Sequence, residues 1–165
     1  MIAVIAYFSA IVFANLSIAY FGVWVSPINS FLFIGLDLSL RDYLHQKWKG
    51  KHLFIKMLGL IVGAGMVSYL LNPASSQIAI ASVIAFTASG FVNTIFYQLF
   101  IKKPFLQKSN FSNIPAAATD SFLFPLIAFG SFMPIIVILQ FFTKVCGGLI
   151  WSLLLNKLIN KSKRQ

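Results

Sequence analysis

Apolar stretches of about twenty residues recur along this chain, and they leave it few folds to choose from. A run of that length crosses the hydrocarbon of a bilayer as a helix, because only helices and closed barrels satisfy every backbone group there. Six such runs can be drawn, over about 2–20, 27–43, 53–71, 78–101, 113–129 and 134–157. The charge between them is unevenly placed. Arg41, Lys47, Lys49, Lys51 and Lys56 form one basic cluster, Lys102, Lys103 and Lys108 a second, and Lys157, Lys161, Lys163 and Arg164 a third. The connections around Phe21–Ser26, Asn72–Gln77 and Gly130–Pro134 carry no charge. Basic and uncharged connections alternate, which by the positive-inside rule predicts six crossings with both termini cytoplasmic. The expected fold is an all-α integral membrane protein, six transmembrane helices in one compact bundle, a single membrane domain over residues 1–165.

Composition agrees and narrows the function classes. The chain is 59% hydrophobic and 10% charged, against about 25% charged in soluble domains, so no separate soluble domain is expected. The net charge of +10 is collected in the connections, where it suits anionic lipid headgroups; no nucleic-acid partner is expected. Cys146, the only cysteine, lies in an apolar run and reads as a packing residue. His45 and His52 fall in the first basic connection with no acid or cysteine set beside them, so no metal site is expected. No phosphate loop, nucleophile elbow or carboxylate pair is present, and neither an enzyme nor a cofactor is expected. The N-terminal run lacks a charged start and is too long for a signal peptide.

Polar residues inside the apolar runs carry the functional information. The chain has three acids, Asp37, Asp42 and Asp120, and no glutamate. Asp120 stands in the fifth run, and a carboxylate inside hydrocarbon costs about 2.5–3.5 kcal/mol on insertion scales. Such a residue marks a ligand or ion site by default. Placed in a helix starting near Asn113, it lies about a third of the way in from the second basic connection. Lys144, in the sixth run, is the complementary anomaly, and Gln140, Lys144, Gly147 and Trp151 share its face. Asp120 and Lys144 can form an ion pair, or Lys144 can help to hold a substrate. In the fourth run Ser82, Phe86, Ser89, Asn93 and Tyr97 fall on one helical face. They suit either a wall for a planar polar ligand or hydrogen bonding between helices. Asp37 and Arg41, four apart, can pair, with Asp42 following at the water boundary; the three read as a structural cluster or as a gate. Asn15 reads as interhelical glue, and Gly59 and Gly63 as a GxxxG surface for close packing. Pro115 and Pro125 interrupt the fifth run.

Three blocks together carry a resemblance: GLDLSLRDYLHQKW (Gly35–Trp48), AFTASGFVNTIFYQL (Ala85–Leu99), and Ser109–Asn110 followed by TDSFLFPLIAFG (Thr119–Gly130). In order and spacing the chain resembles the short queuosine precursor transporters of the vitamin uptake transporter-like family. It departs from them at Gly90 and Asn93, where the family often has carboxylates, which leaves Asp120 as the clear carboxylate of the pocket. The resemblance implies uptake of a 7-deazaguanine base, with 7-cyano or 7-aminomethyl substituent, across the cytoplasmic (inner) membrane. A carboxylate can accept the ring N–H and exocyclic amine of a guanine-like edge side by side. Asp120 is the expected anchor, Ser89, Asn93 and Asn110 the expected polar contacts, and Phe86, Tyr97 or Phe124 the stacking faces. The six-helix plan is also similar to the vitamin-binding subunits of energy-coupling-factor transporters, which implies an ATPase module as a partner. A structural membrane protein whose polar residues only join helices is the remaining alternative.

Overall fold

A computed structural model describes residues 1–48 and 52–162 of the chain. Lys49, Lys51, Lys163 and Arg164, with the side chain of Lys161, lie outside that description. The described residues form six helices: α1 (Ile2–Phe21), α2 (Val23–Trp48), α3 (Leu53–Leu71), α4 (Pro73–Leu99), α5 (Phe105–Phe129) and α6 (Pro134–Ser162). All except α5 are both long and apolar enough to cross a bilayer. The exception has 25 residues, and its polar side chains face inward: Ser109, Ser112, Asn113, Asp120 and Ser121 are all buried.

The helices close into a ring in the order α1, α3, α4, α5, α6, α2, with α1 also touching α4 across the middle. The distribution of side chains is inverted relative to a soluble domain. Phe13, Phe54, Ile80, Phe91 and Phe142 point outward, whereas Asp37, Asp42, Asp120, Arg41 and Lys144 are buried. Large exposed apolar surface over a polar interior is what hydrocarbon solvent selects. The chain is a multi-pass membrane protein.

Two elements differ from the sequence expectation. The fifth helix begins at Phe105 rather than near Asn113, and it runs unbroken through Pro115 and Pro125. The polar stretch after Lys108 resembles a loop in composition, but its side chains are satisfied within the bundle. The Asn110 amide donates to the Leu106 carbonyl at 2.7 Å and Ser112 to the Ser109 carbonyl at 3.0 Å. Each proline removes one donor, a cost that membrane helices tolerate where backbone faces protein.

The second helix starts four residues before Pro27, with a 3₁₀ turn at Val23–Val25, and ends at Trp48. It widens to π winding over Ser30–Ile34. A π turn leaves carbonyls looking for donors, and α6 supplies one: the Trp151 indole N–H donates to the Leu32 carbonyl at 3.1 Å. Just beyond, Ser39 donates to the Gly148 carbonyl at 2.9 Å. The two helices meet backbone to backbone. A Cβ on Gly35 would stand 2.8 Å from the Gly147 Cα, and one on Gly147 would strike the Phe31 carbonyl oxygen.

The GxxxG expectation holds only in part. A Cβ on Gly63 would approach Phe8 to 3.3 Å, and one on Gly65 would come within 2.9 Å of Val83, so these residues let α3 close on α1 and α4. Gly59 has nothing beside it. Cys146 is exposed on the outer face and packs no core.

Candidate functional site

The interior holds two groups of polar side chains, stacked along the bundle. The first lies towards the uncharged connections and draws on every helix except α3 in its lining. Asp120 accepts an ion-pair contact from the Lys144 ammonium, 2.7 Å from Oδ2. Lys144 also donates to Gln140 Oε1 at 2.9 Å and Ser121 Oγ at 3.0 Å, so its three N–H donors are all placed. Gln140 in turn donates to Ser26 at 2.9 Å. Across the hollow, Asn15 donates to Ser68 at 3.2 Å and accepts from Ser82, and Asn29 donates to Ser17 at 2.6 Å. Phe86 and Phe124 supply the apolar walls. Among the described residues lining this hollow, Asp120 Oδ1 is the buried polar atom left without a hydrogen-bond partner.

The hollow is narrow, with a cavity volume of about 20 Å³. That is room for one or two waters. The site is therefore formed but tightly filled. Its depth also differs from expectation. Because α5 begins at Phe105, Asp120 lies nearer the uncharged end of its helix than the basic end.

The second group lies towards the basic connections. The Arg41 guanidinium donates to Asp37 Oδ2 at 3.0 Å and makes a long contact of 3.5 Å with Ser89. Gly90 lies beside the guanidinium, where a Cβ would sit in ordinary van der Waals contact 3.4 Å from Nη1. Asp37, one turn earlier on α2, supplies the carboxylate that Arg41 pairs with. Ser109 donates to Asp42 Oδ2 at 2.5 Å, and Asn93 donates to Ser112 at 3.2 Å and to Asn113 at 3.1 Å. His45 stacks on Tyr97 with ring centroids 4.6 Å apart and meets Gln98 at 3.0 Å, while Lys108 lies 5.0 Å over the Tyr97 ring.

Each residue anticipated from the sequence thus has a definite place. Asp120, Phe86, Phe124 and Lys144 converge on the hollow. Ser89, Asn93 and Tyr97 are buried on the expected face of α4 but belong to the second group. Asn110 faces Ser152, to which it donates at 3.2 Å, and stays apart from both. Asp37, Arg41 and Asp42 do cluster, but Asp42 is wholly buried rather than at the water boundary, because α2 extends past it to Trp48. His45 is likewise helical and buried rather than in a connection. Asn29 and Ser26 in the hollow lie outside the sequence expectation, and Asn15, expected as interhelical glue, lines it as well. For Asn15 the available signal is a lone amide within an apolar run.

Electrostatics ties the groups together. Asp120 lies within electrostatic reach of both Asp37 and Arg41. All three acids of the chain are inside, matched among the described residues by three buried cations, Arg41, Lys108 and Lys144. A formally balanced interior avoids the cost of an uncompensated buried charge. No group of three or more His, Cys, Asp or Glu able to hold a metal occurs among the described residues.

No curated protein and no solved structure matches the chain. The family described as "Putative vitamin uptake transporter" matches it over residues 2–156. Nearly the whole bundle, both polar groups included, falls within that match, and the chain belongs to this family of membrane transporters.

Proposed function

We propose that the protein imports a 7-deazaguanine base, a precursor of queuosine, across the cytoplasmic membrane with both termini inside. The observation that carries this reading is the buried Asp120 carboxylate, with one oxygen held by Lys144 and the other unpartnered on the wall of an interior hollow. An acceptor prepared in this way suits a ligand edge rich in N–H donors. The ring N–H and exocyclic amine of a guanine-like base supply two, and charge-assisted pairs of this kind are strong and selective for geometry. Lys144 keeps Gln140 and Ser121 as partners when it shares Asp120. Phe86 and Phe124 bracket the hollow and offer the base its stacking faces.

The hollow must widen before a base can enter, since small-molecule pockets run to about 300–1,000 Å³. Ser89, Asn93 and Tyr97 then line the route towards the basic face, and the Asp37–Arg41 pair of the second group, within electrostatic reach of Asp120, acts as the closure. The test is uptake of labelled base by vesicles holding the purified chain alone. Accumulation there supports an autonomous carrier. Binding without uptake, relieved by a co-purifying ATPase, assigns the chain instead as the substrate-binding subunit of an ATP-driven complex. Neither binding nor uptake of any deazaguanine refutes the substrate assignment.

A further inference from the structure

The second polar group contains more unpartnered atoms than a structural cluster needs. Asp42 Oδ1 is buried and without a hydrogen-bond partner among the described residues. Asp37 and Asp120 are held in ion pairs by Arg41 and Lys144, whereas the hydrogen bond that reaches Asp42 Oδ2 comes from the Ser109 hydroxyl. A carboxylate oxygen left unpaired in a water-poor interior is costly, and a proton bound to Asp42 lifts that cost by neutralising the carboxylate. We propose that Asp42, with Asn93 and Ser109 around it, is a proton-binding site, and that it couples proton movement to the transport proposed above.

The surroundings fit a proton better than a metal cation. Arg41 lies on the same helix and Lys108 faces Asp42 from α5, so two positive charges already neighbour the carboxylate. A sodium ion and a proton would add the same charge, but sodium needs a shell of oxygens, whereas a proton needs one lone pair, and Asp42 Oδ1 offers it. Tyr97 from α4 is also within electrostatic reach of Asp42, and from α1 Tyr7 faces Asp37 and Arg41. The step balances simply. An O–H bond of a hydronium ion breaks as the Asp42 O–H bond forms, water leaves, and the carboxylate becomes a neutral acid.

At the basic end of the bundle an open groove between α2, α3 and α4 is lined by His45, Leu53, Phe54, Phe91, Thr94 and Gln98. The His45 ring stacks on Tyr97, and Tyr97 is within electrostatic reach of Asp42. The proposed proton route runs from this groove past His45 and Tyr97 to Asp42. Protonation of Asp42 cancels a charge that Arg41 and Lys108 face, leaving the interior with an excess positive charge. That imbalance favours a conformation in which Arg41 meets water, which is the opening towards the basic face.

The coupling rests on the transport reading; the proton site does not, and the test separates the two. Infrared difference spectra of the full chain in lipid vesicles suit the question, because three aspartates are its only side-chain carboxyls. The expected result is a carboxylic-acid carbonyl band that titrates with pH and shifts on ¹³C-aspartate labelling. It survives in Asp37→Asn and in Asp120→Asn and is lost in Asp42→Asn. Should Asp42→Asn fail to fold, the Asp37→Asn/Asp120→Asn double variant answers instead, since a labelled band there can come only from Asp42. A band absent throughout, or one that vanishes with Asp37 or Asp120, overturns the proposal. In the same vesicles an imposed pH gradient should drive accumulation of the base. Uptake that ignores that gradient, or follows a sodium gradient, overturns the coupling while leaving the transporter reading intact. If the base neither binds nor enters, the transport reading falls and the carbonyl band still decides the proton site.

Discussion

Breaking the Asp120–Lys144 pair from one side should cost far more than removing it from both. The pair is 2.7 Å long and both side chains are at most 3% exposed. Lys144→Met leaves a buried carboxylate with neither oxygen paired to a cation, because Oδ1 already lacks a partner. Asp120→Asn leaves a buried ammonium balanced only by Gln140 and Ser121. Orphaning one member of a buried ion pair typically costs about 3–5 kcal/mol, whereas exchanging both for apolar groups is neutral or stabilising by about 1–4 kcal/mol. The cycle of Asp120→Asn, Lys144→Met and the Asp120→Leu/Lys144→Met double variant therefore has a large expected coupling energy, read by denaturant unfolding in detergent. Binding should show a different pattern. Loss of charge-assisted bonds worth about 1.5–3 kcal/mol weakens affinity for the base by about 10- to 150-fold, in the stable double variant as much as in Asp120→Asn. If the single variants are as stable as the double one, the pair is not energetically coupled as its geometry requires. If the double variant folds and still transports, these residues only join helices.

Further outcomes follow from the packing. Gly147→Ala should sharply reduce the yield of folded protein, since its Cβ meets the Phe31 carbonyl oxygen and backbone cannot step aside; overpacking of this kind costs about 1–3 kcal/mol or more. Gly59→Ala should be neutral or stabilising by about 0.5–1 kcal/mol, as nothing lies within 4 Å and alanine is the better helix former; thermal unfolding in detergent distinguishes the two glycines. Asn15→Leu should destabilise the fold by about 0.6–1.7 kcal/mol, the range for interhelical hydrogen bonds in membranes, because Ser82 loses its acceptor and Ser68 the amide that donates to it. A spin label on Cys146, exposed on the outer face of α6, should be relaxed by oxygen dissolved in the hydrocarbon more than by a water-soluble paramagnet. The reverse order would contradict a lipid-facing α6.

The bundle was legible because hydrocarbon imposes a strong pattern: long apolar runs, with basic and uncharged connections alternating between them. The start of α5 was not, because Lys108, Ser109 and Asn110 have the composition of a loop, and only tertiary partners such as Asp42 and Ser152 show that they are helical and satisfied inside. The inward face of α4 was visible as a stripe, but a stripe gives direction without depth. Ser82 and Phe86 reach the Asp120 hollow, while Ser89, Asn93 and Tyr97, further along the same face, belong to the other group. The glycines show the same limit. Spacing pointed to Gly59 and Gly63, while the tightest crossing is at Gly35 and Gly147, which lie on different helices and have no spacing to reveal them.

The central claim concerns which carboxylate touches the ligand, and a single distance decides it. In lipid vesicles loaded with a deazaguanine ¹⁵N-labelled at its exocyclic amine, solid-state NMR dipolar recoupling to ¹³Cγ-labelled aspartate reports that contact directly. The account predicts a short nitrogen–carboxyl distance that disappears in Asp120→Asn and persists in Asp37→Asn. A contact that persists without Asp120, or a bound base with no aspartate near its amine, would contradict it.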